Sequence, residues 1–196
     1  GLGDVYKRQL YDIDEEETHA RFVTKMCTAD VIKGEFENLS GQIFFDQFEP
    51  EKSWLDVTLK APSLSLDKET HGDHNLKETI EGDFILKASE FAEIKLKSTK
   101  IERTSFYTGL MTADLTLVGE THPITLEVTF ENIMRDKYAS PPEERDVVKF
   151  SAYGTFDRSK WNILYGLDRI GIRRMSEDVQ IFVTTQASLH KKNTAQ

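Results

Sequence analysis

The amino-acid sequence predicts an all-β protein whose antiparallel strands form a sandwich or a barrel. The main observation is the alternation of apolar and polar residues, which is most regular in ITLEVTFE at residues 124–131. A period of two places successive side chains on opposite faces of a strand, so one face is buried and the other meets water. Such half-buried strands are usually antiparallel. The short, fairly even spacing between turns favours a sandwich or a barrel.

Further segments share this alternation, and turn residues separate them. The strand segments lie at 56–60, 93–97, 115–117, 148–152 and 179–187. The turn segments contain Gly, Pro or Asn and lie at 38–41, 48–51, 119–123 and 140–146. No internal repeat and no linker divides the chain. We therefore expect a single folded domain.

One region, residues 71–91, breaks the alternation. It is rich in charge, and Leu76, Ile80 and Phe84 recur at spacings of four residues. This spacing predicts a short helical connection that covers one end or side of the sheet, with Gly82 as a point of interruption.

Composition narrows the classes of function. The chain has 196 residues, enough to bury a hydrophobic core, and its net charge is -9. Nucleic-acid binding needs a concentrated basic surface, so we expect no nucleic-acid partner. No apolar run reaches the roughly 20 residues of a membrane helix, so we expect no transmembrane segment in this sequence. The polar faces of the strands carry many charges, which disfavours a membrane-spanning barrel.

The two ends of the chain are expected to lie outside the domain. Residues 1–9 (GLGDVYKRQ) are similar to a translated sequencing adapter, so we interpret them as an artefact that contributes no packing. We place the single domain at residues 10–190 and a C-terminal tail at residues 191–196.

Five short segments resemble, in order, the motifs of the YceI-like, or polyisoprenoid-binding, family. They are YDID at residues 11–14, GEF with LSGQI at 34–43, FAEIKLKS at 91–98, LTLVGETHPITLEV at 115–128 and DRSKWNI at 157–163. The resemblance covers roughly residues 11–189. The sequence departs from the family pattern at Ala92, where Pro is usual, and at Trp161-Asn162, where Phe-Gly is usual.

The resemblance implies a fold, a ligand and a location. The fold would be an eight-stranded antiparallel lipocalin-like barrel with the short helical connection around residues 71–91. The ligand would be a long apolar lipid, such as an isoprenoid or isoprenoid quinone, that is bound, transported or sequestered in the lumen. Family members are typically exported bacterial proteins, so the expected location is periplasmic or secreted, with the signal peptide missing from this sequence.

Motifs for catalysis or metal binding are weak. No nucleophile elbow, zinc-protease motif or phosphate loop is present, so we predict no enzyme, no catalytic residue and no cofactor. His71, Asp73 and His74 could hold a metal on one helix face, but a solvated helix start explains them better, and we predict no metal site. Cys27 lies in a predicted strand, where a buried, unreactive thiol is the usual finding.

The inward apolar face is the predicted ligand site. These residues either fill a solid core or line a cavity, because an eight-stranded barrel is just large enough for one small ligand. The small residues Ser98, Ala152 and Thr185 leave room on that face, and the resemblance favours the cavity. An enzyme on a similar ligand and a solid-cored interaction module remain the alternatives. The predicted lumen residues are Phe22, Val57, Leu59, Ile94, Leu96, Leu115, Leu117, Leu126, Val128, Phe150, Ala152, Ile181 and Val183.

Overall fold

A computed structural model describes residues 8–26, 31–67, 75–135, 146–167 and 175–190. Within these ranges the chain forms eleven strands and one α-helix. The strands are β1 (Gln9–Ile13), β2 (His19–Met26), β3 (Val31–Phe36), β4 (Leu39–Phe45), β5 (Trp54–Lys60), β6 (Leu64–Leu66), β7 (Glu93–Arg103), β8 (Thr108–Leu117), β9 (Glu120–Arg135), β10 (Asp146–Asp157) and β11 (Met175–Leu189). The helix is α1 (Leu76–Glu81), and short 3-10 turns follow β5 and β10.

The strands form a closed antiparallel barrel. Eight of them follow one another around the ring in the order β1, β4, β5, β7, β8, β9, β10 and β11, and pairing of β11 with β1 closes it. The strands β2, β3 and β6 extend the sheet from the remaining length of β11. The predicted all-β, eight-stranded antiparallel fold is confirmed.

The register of β9 confirms the alternation argument. Leu126 is 2% exposed and Ile124 is also buried, whereas Thr125 and Glu127 are exposed on the outer face. Val128 continues the inward set and is half-buried. The inward set of β9 thus meets the inward sets of β8 and β10 inside the barrel.

The turn predicted at residues 119–123 is shorter than predicted and begins one residue earlier. Val118 and Gly119 alone make the turn, with φ angles of 50° and 77°, and β9 already begins at Glu120. Two consecutive residues with positive φ form the tight hairpin turn that matches the twist of paired strands. Pro123 is tolerated within β9 because β9 pairs with β10 only from Glu127 onward, which leaves an edge at Pro123.

One end of the barrel is packed solid; we call it the closed end. Trp161 is 2% exposed, and its indole Nε1–H donates a 3.0 Å hydrogen bond to the carbonyl oxygen of Leu115. Buried Arg158 donates 2.8 Å hydrogen bonds to the carbonyl oxygens of Ser176 and Ile163. Burial lowers the pKa of Arg158, although the charges of nearby carboxylates oppose this shift. These contacts fix the segment after β10 inside the barrel end.

The described part of the connection between β6 and β7, residues 75–92, covers the closed end, as predicted. Ile80 of α1 is buried in the same core, and Leu76 packs against it. Phe84 does not continue this face, because α1 ends at Glu81 and Gly82 follows in an extended conformation. His71 and His74 of the predicted connection, as well as Cys27, lie outside the described residues.

The N-terminal boundary differs from the expected one. Gln9 pairs with Phe45 at the start of β1, and Arg8 forms an ion pair with buried Asp46 at 2.9 Å. The expectation that residues 1–9 make no packing contact is therefore wrong for these two residues. The origin of the segment and the tail at residues 191–196 stay predictions.

Candidate functional site: an apolar lumen open at one end

The lumen opposite the closed end is hollow. It encloses a cavity of about 480 Å³, within the range of roughly 300–1,000 Å³ that is usual for small-molecule sites. Strands from every side of the ring contribute aliphatic and aromatic side chains to its wall. The cavity opens between the β4–β5 loop and the β7–β8 loop, and we call this opening the mouth.

Eight of the thirteen predicted lumen residues line this cavity, and five do not. The eight are Val57, Leu59, Leu96, Leu126, Val128, Phe150, Ala152 and Val183. The remaining five belong to the solid core of the closed end, where Ile94, Leu115 and Leu117 are buried and Phe22 and Ile181 pack against them. They do not line the cavity because Trp161 and the connection before β7 fill their part of the barrel.

Several wall residues were not predicted. Phe130 continues the inward alternation of β9 by one step past Val128, so the pattern contains the signal for it. Phe45, Phe130 and Phe150 form one cluster, with ring centroids 5.0–5.4 Å apart. Of the three small residues expected to leave room, Ala152 and Thr185 line the cavity. Ser98 does not, and its hydroxyl instead accepts a 2.8 Å hydrogen bond from the Leu55 N–H.

A buried carboxylate organises the β4–β5 loop at the mouth. Asp46 is 1% exposed, and its Oδ1 accepts hydrogen bonds from the N–H groups of Phe48 and Glu49 at 3.0 and 2.9 Å. Its own N–H donates to the Ser53 hydroxyl at 2.9 Å. Burial alone would raise the pKa of Asp46, but these backbone N–H groups and the Arg8 guanidinium hold it below its usual value. The loop is thus held in one shape by an ionised side chain.

The β7–β8 loop is held by hydroxyl and guanidinium groups. The Ser105 hydroxyl accepts hydrogen bonds from the N–H groups of Tyr107 and Thr108 at 3.2 and 3.1 Å. The Arg103 Nε–H donates to the Ser105 carbonyl at 2.8 Å, and the guanidinium lies 5.2 Å from the Phe106 ring centroid. These bonds leave the rings of Phe106 and Tyr107 projecting from the loop, 4.8 Å apart.

Polar groups are few along the cavity wall. On the wall, the hydroxyls of Thr18 and Thr185 are 2.9 Å apart and form a hydrogen bond with each other. Arg103, at the mouth, is the one charged residue among the described residues that line the cavity. Neither a carboxylate nor a histidine is among those described wall residues. The wall therefore offers an apolar surface with a single cation at its opening.

No group of three or more His, Cys, Asp or Glu side chains in the described part of the chain could hold a metal ion. The one described helix is too short and too polar to cross a membrane.

The fold is shared with solved structures of low sequence identity. Burkholderia cenocepacia BcnA superposes with a TM-score of 0.72 at 20% identity, covering 89% of this chain and 99% of that one. A polyisoprenoid binding domain from Saccharophagus degradans, implicated in plant cell wall breakdown, gives a TM-score of 0.62 at 12% identity, covering 92% of this chain and 98% of that one. At these identities the similarity establishes the fold alone.

Sequence comparison establishes the family. A UPF0312 protein of Pseudomonas putida (strain W619) is 33% identical over 130 residues, which is 65% of this chain. The chain likewise spans 65% of the length of that relative. The model of the YceI-like domain matches residues 11–187, a range that includes every described residue lining the cavity. The chain belongs to the YceI-like domain family.

Proposed function

We propose that this protein binds one long apolar molecule, such as an isoprenoid or an isoprenoid quinone, in its lumen. The observation that carries the proposal is the apolar cavity of about 480 Å³ inside the barrel. Removing about 400 Å² of hydrocarbon from water supplies roughly 10 kcal/mol before the costs of ordering and immobilisation. Binding of this kind needs no charged partner deep in the wall. The Saccharophagus degradans neighbour, named as a polyisoprenoid binding domain, supports this ligand class.

The shape of the site sets the direction of the ligand. The closed end is blocked by Trp161, so a chain enters through the mouth and leaves its polar end there. Arg103 and Tyr107 are among the wall residues of the mouth that can donate hydrogen bonds to a polar end group. We therefore place the apolar chain against Leu96, Val128 and Val183 and the polar end beside Arg103.

The role is binding, with transport or sequestration of the ligand as its purpose. An enzyme acting on a similar ligand would need a titratable group beside the chain, and the described wall residues deep in the cavity include none. A solid-cored interaction module would have a small internal volume, and the cavity is larger than that hypothesis expects. A periplasmic or secreted location belongs to the same proposal; it is supported by the family resemblance, and cell fractionation tests it.

Native mass spectrometry with farnesol tests the proposal. The delipidated protein should take up one farnesol per chain. The substitution Ala152→Phe places a ring inside the cavity and should abolish this uptake. The matched control is Tyr153→Phe at the next position, which is 41% exposed on the outer face and should leave uptake unchanged. Equal uptake by both variants, with circular dichroism confirming that both fold, would overturn the proposal.

A further inference from the structure

Three aromatic side chains at the mouth are exposed to solvent. Phe48 of the β4–β5 loop is 61% exposed, and Phe106 and Tyr107 of the β7–β8 loop are 74% and 57% exposed. All three also line the cavity opening, so the apolar surface of the lumen continues onto the outside of the protein. We call these three residues the mouth aromatics. A contiguous exposed apolar patch usually marks a surface that contacts something apolar.

Side-chain hydrogen bonds fix the backbones of the loops that carry the mouth aromatics. The hydrogen bonds of Asp46 hold the loop that carries Phe48, and those of Ser105 hold the loop that carries Phe106 and Tyr107. Two neighbouring loops of fixed backbone thus present the rings at adjacent positions on the rim of the opening. A fixed surface loses little conformational entropy when it binds.

The charged residues that the structure describes around the mouth do not form a basic patch. The guanidinium of Arg8 contacts Asp46 and Glu49 at 2.9 and 2.6 Å, and Lys52 contacts Glu49 at 2.7 Å. Arg103 lies over the Phe106 ring. Attraction to an anionic surface requires a cluster of unpaired cations. With the chain at net charge -9, the mouth is suited to apolar insertion and not to electrostatic attraction.

We infer that the mouth aromatics insert into the interfacial layer of a lipid bilayer and place the lumen opening against the acyl chains. Aromatic rings with a polar edge or a nearby cation are favoured at this depth of a membrane. This inference rests on the proposed function, because contact with a bilayer serves the transfer of the apolar ligand. Each methylene that crosses water costs roughly 0.8 kcal/mol, so a long apolar ligand passes between bilayer and lumen far faster when the two are in contact.

The closed end supplies a matched control surface. Phe84 is also 74% exposed, and its ring lies 6.0 Å from that of Tyr165, which is 42% exposed. Neither residue lines the cavity. These two rings are therefore exposed to a similar degree but are not continuous with the lumen. Substituting them distinguishes docking at the mouth from non-specific adsorption through exposed rings.

The experiment measures binding to vesicles of phosphatidylcholine with brominated acyl chains. Bromine quenches tryptophan fluorescence at short range. Trp54, at the mouth, is 40% exposed, whereas Trp161 is buried at the closed end. We expect the wild-type protein to co-sediment with the vesicles and to lose part of its tryptophan emission. The double variant Phe106→Ser, Tyr107→Ser should bind at least tenfold more weakly, whereas Phe84→Ser, Tyr165→Ser should bind like the wild type.

The remaining outcomes separate this inference from the proposed function. The filled-lumen variant Ala152→Phe should still bind vesicles, because Ala152 is not part of the docking surface. Vesicle binding that is lost equally in both double variants, or that appears only when anionic phosphatidylglycerol is added, would overturn the inference. Wild-type protein that takes up farnesol but does not bind vesicles would also overturn it and would leave the proposed function intact. Vesicle binding without farnesol uptake would instead contradict the proposed function.

Discussion

The substitution Leu96→Asp places a carboxylate on the lumen wall. It tests quantitatively whether a bound ligand excludes water from the cavity. Leu96 lines the cavity and pairs across the sheet with Val57 and Leu115, both apolar. The flanking Lys95 and Lys97 are exposed on the outer face. Arg103 lies seven residues further along β7, roughly 23 Å away at the rise of a strand, well beyond the screening distance of about 8–10 Å. The new carboxylate therefore has no cation nearby.

The size of the effect follows from the proton that the carboxylate must take up. In the empty lumen water can reach the side chain, but a bound chain removes that water, and an unpaired buried carboxylate becomes neutral. Protonating an Asp of ordinary pKa costs about 4 kcal/mol at pH 7 and about 1.5 kcal/mol at pH 5, at about 1.36 kcal/mol per pH unit. Relative to the neutral variant Leu96→Asn at each pH, the farnesol affinity of Leu96→Asp should be about 1,000-fold lower at pH 7 and about tenfold lower at pH 5.

Calorimetric titration with farnesol at both pH values measures this effect, and Leu96→Asn is the matched control. Its amide has a similar shape, does not titrate and should weaken binding by about 1–3 kcal/mol at either pH. Circular dichroism confirms that each variant is folded. A Leu96→Asp protein whose loss of affinity is the same at pH 5 and pH 7 would refute the reasoning, because the occupied lumen would then retain water.

The closed end, the β9–β10 contact and the mouth loop each give a further prediction. Trp161→Ala should lower the free energy of unfolding in urea by about 3–5 kcal/mol, and Trp161→Phe, which leaves the Leu115 carbonyl without its donor, by about 1–3 kcal/mol; equal effects would contradict the role of the hydrogen bond. Gly154→Ala would place a Cβ 2.4 Å from Leu126 Cδ2 and should be destabilising by about 1–3 kcal/mol, and an unchanged melting temperature would argue against that close contact. Folding lowers the pKa of Asp46. The ionised Asp46 carboxylate therefore stabilises the fold above the ordinary pKa of Asp, and this effect is lost as the pH falls through the lowered pKa. The stability difference between wild type and Asp46→Asn should therefore shrink from pH 7 to pH 3, and a constant difference would contradict the account.

The inward face was predictable because strand periodicity is local. Alternation in β9 identifies Leu126 and Val128 as inward without knowledge of any other strand, and the structure agrees. Whether an inward residue meets a neighbour or a cavity is not local. Leu117 and Val128 both belong to alternating segments, yet Leu117 is buried in the closed end and Val128 lines the cavity. The difference arises from Trp161, which reaches the barrel interior from the segment after β10.

The mouth was not predictable from the alternation because its residues lie in loops. Phe48 lies in a segment whose residues predict only a turn, and Phe106 and Tyr107 lie between two strands in a region without periodicity. Their arrangement depends on side-chain bonds of Asp46 and Ser105, which composition does not reveal. Arg103 ends β7, and only closure of the barrel places it beside the opening.

The most direct test of the central claim is the affinity of the protein for isoprenoid alcohols of increasing length. The claim is that an apolar chain occupies the lumen, so each added methylene that reaches the wall contributes up to about 0.8 kcal/mol. Affinity should rise by at least tenfold from geraniol to farnesol and again to geranylgeraniol, and should stop rising once the cavity of about 480 Å³ is full. Ala152→Phe should show no such rise with chain length, because its ring fills part of the cavity and should abolish uptake. Affinity that does not change with chain length would contradict the claim.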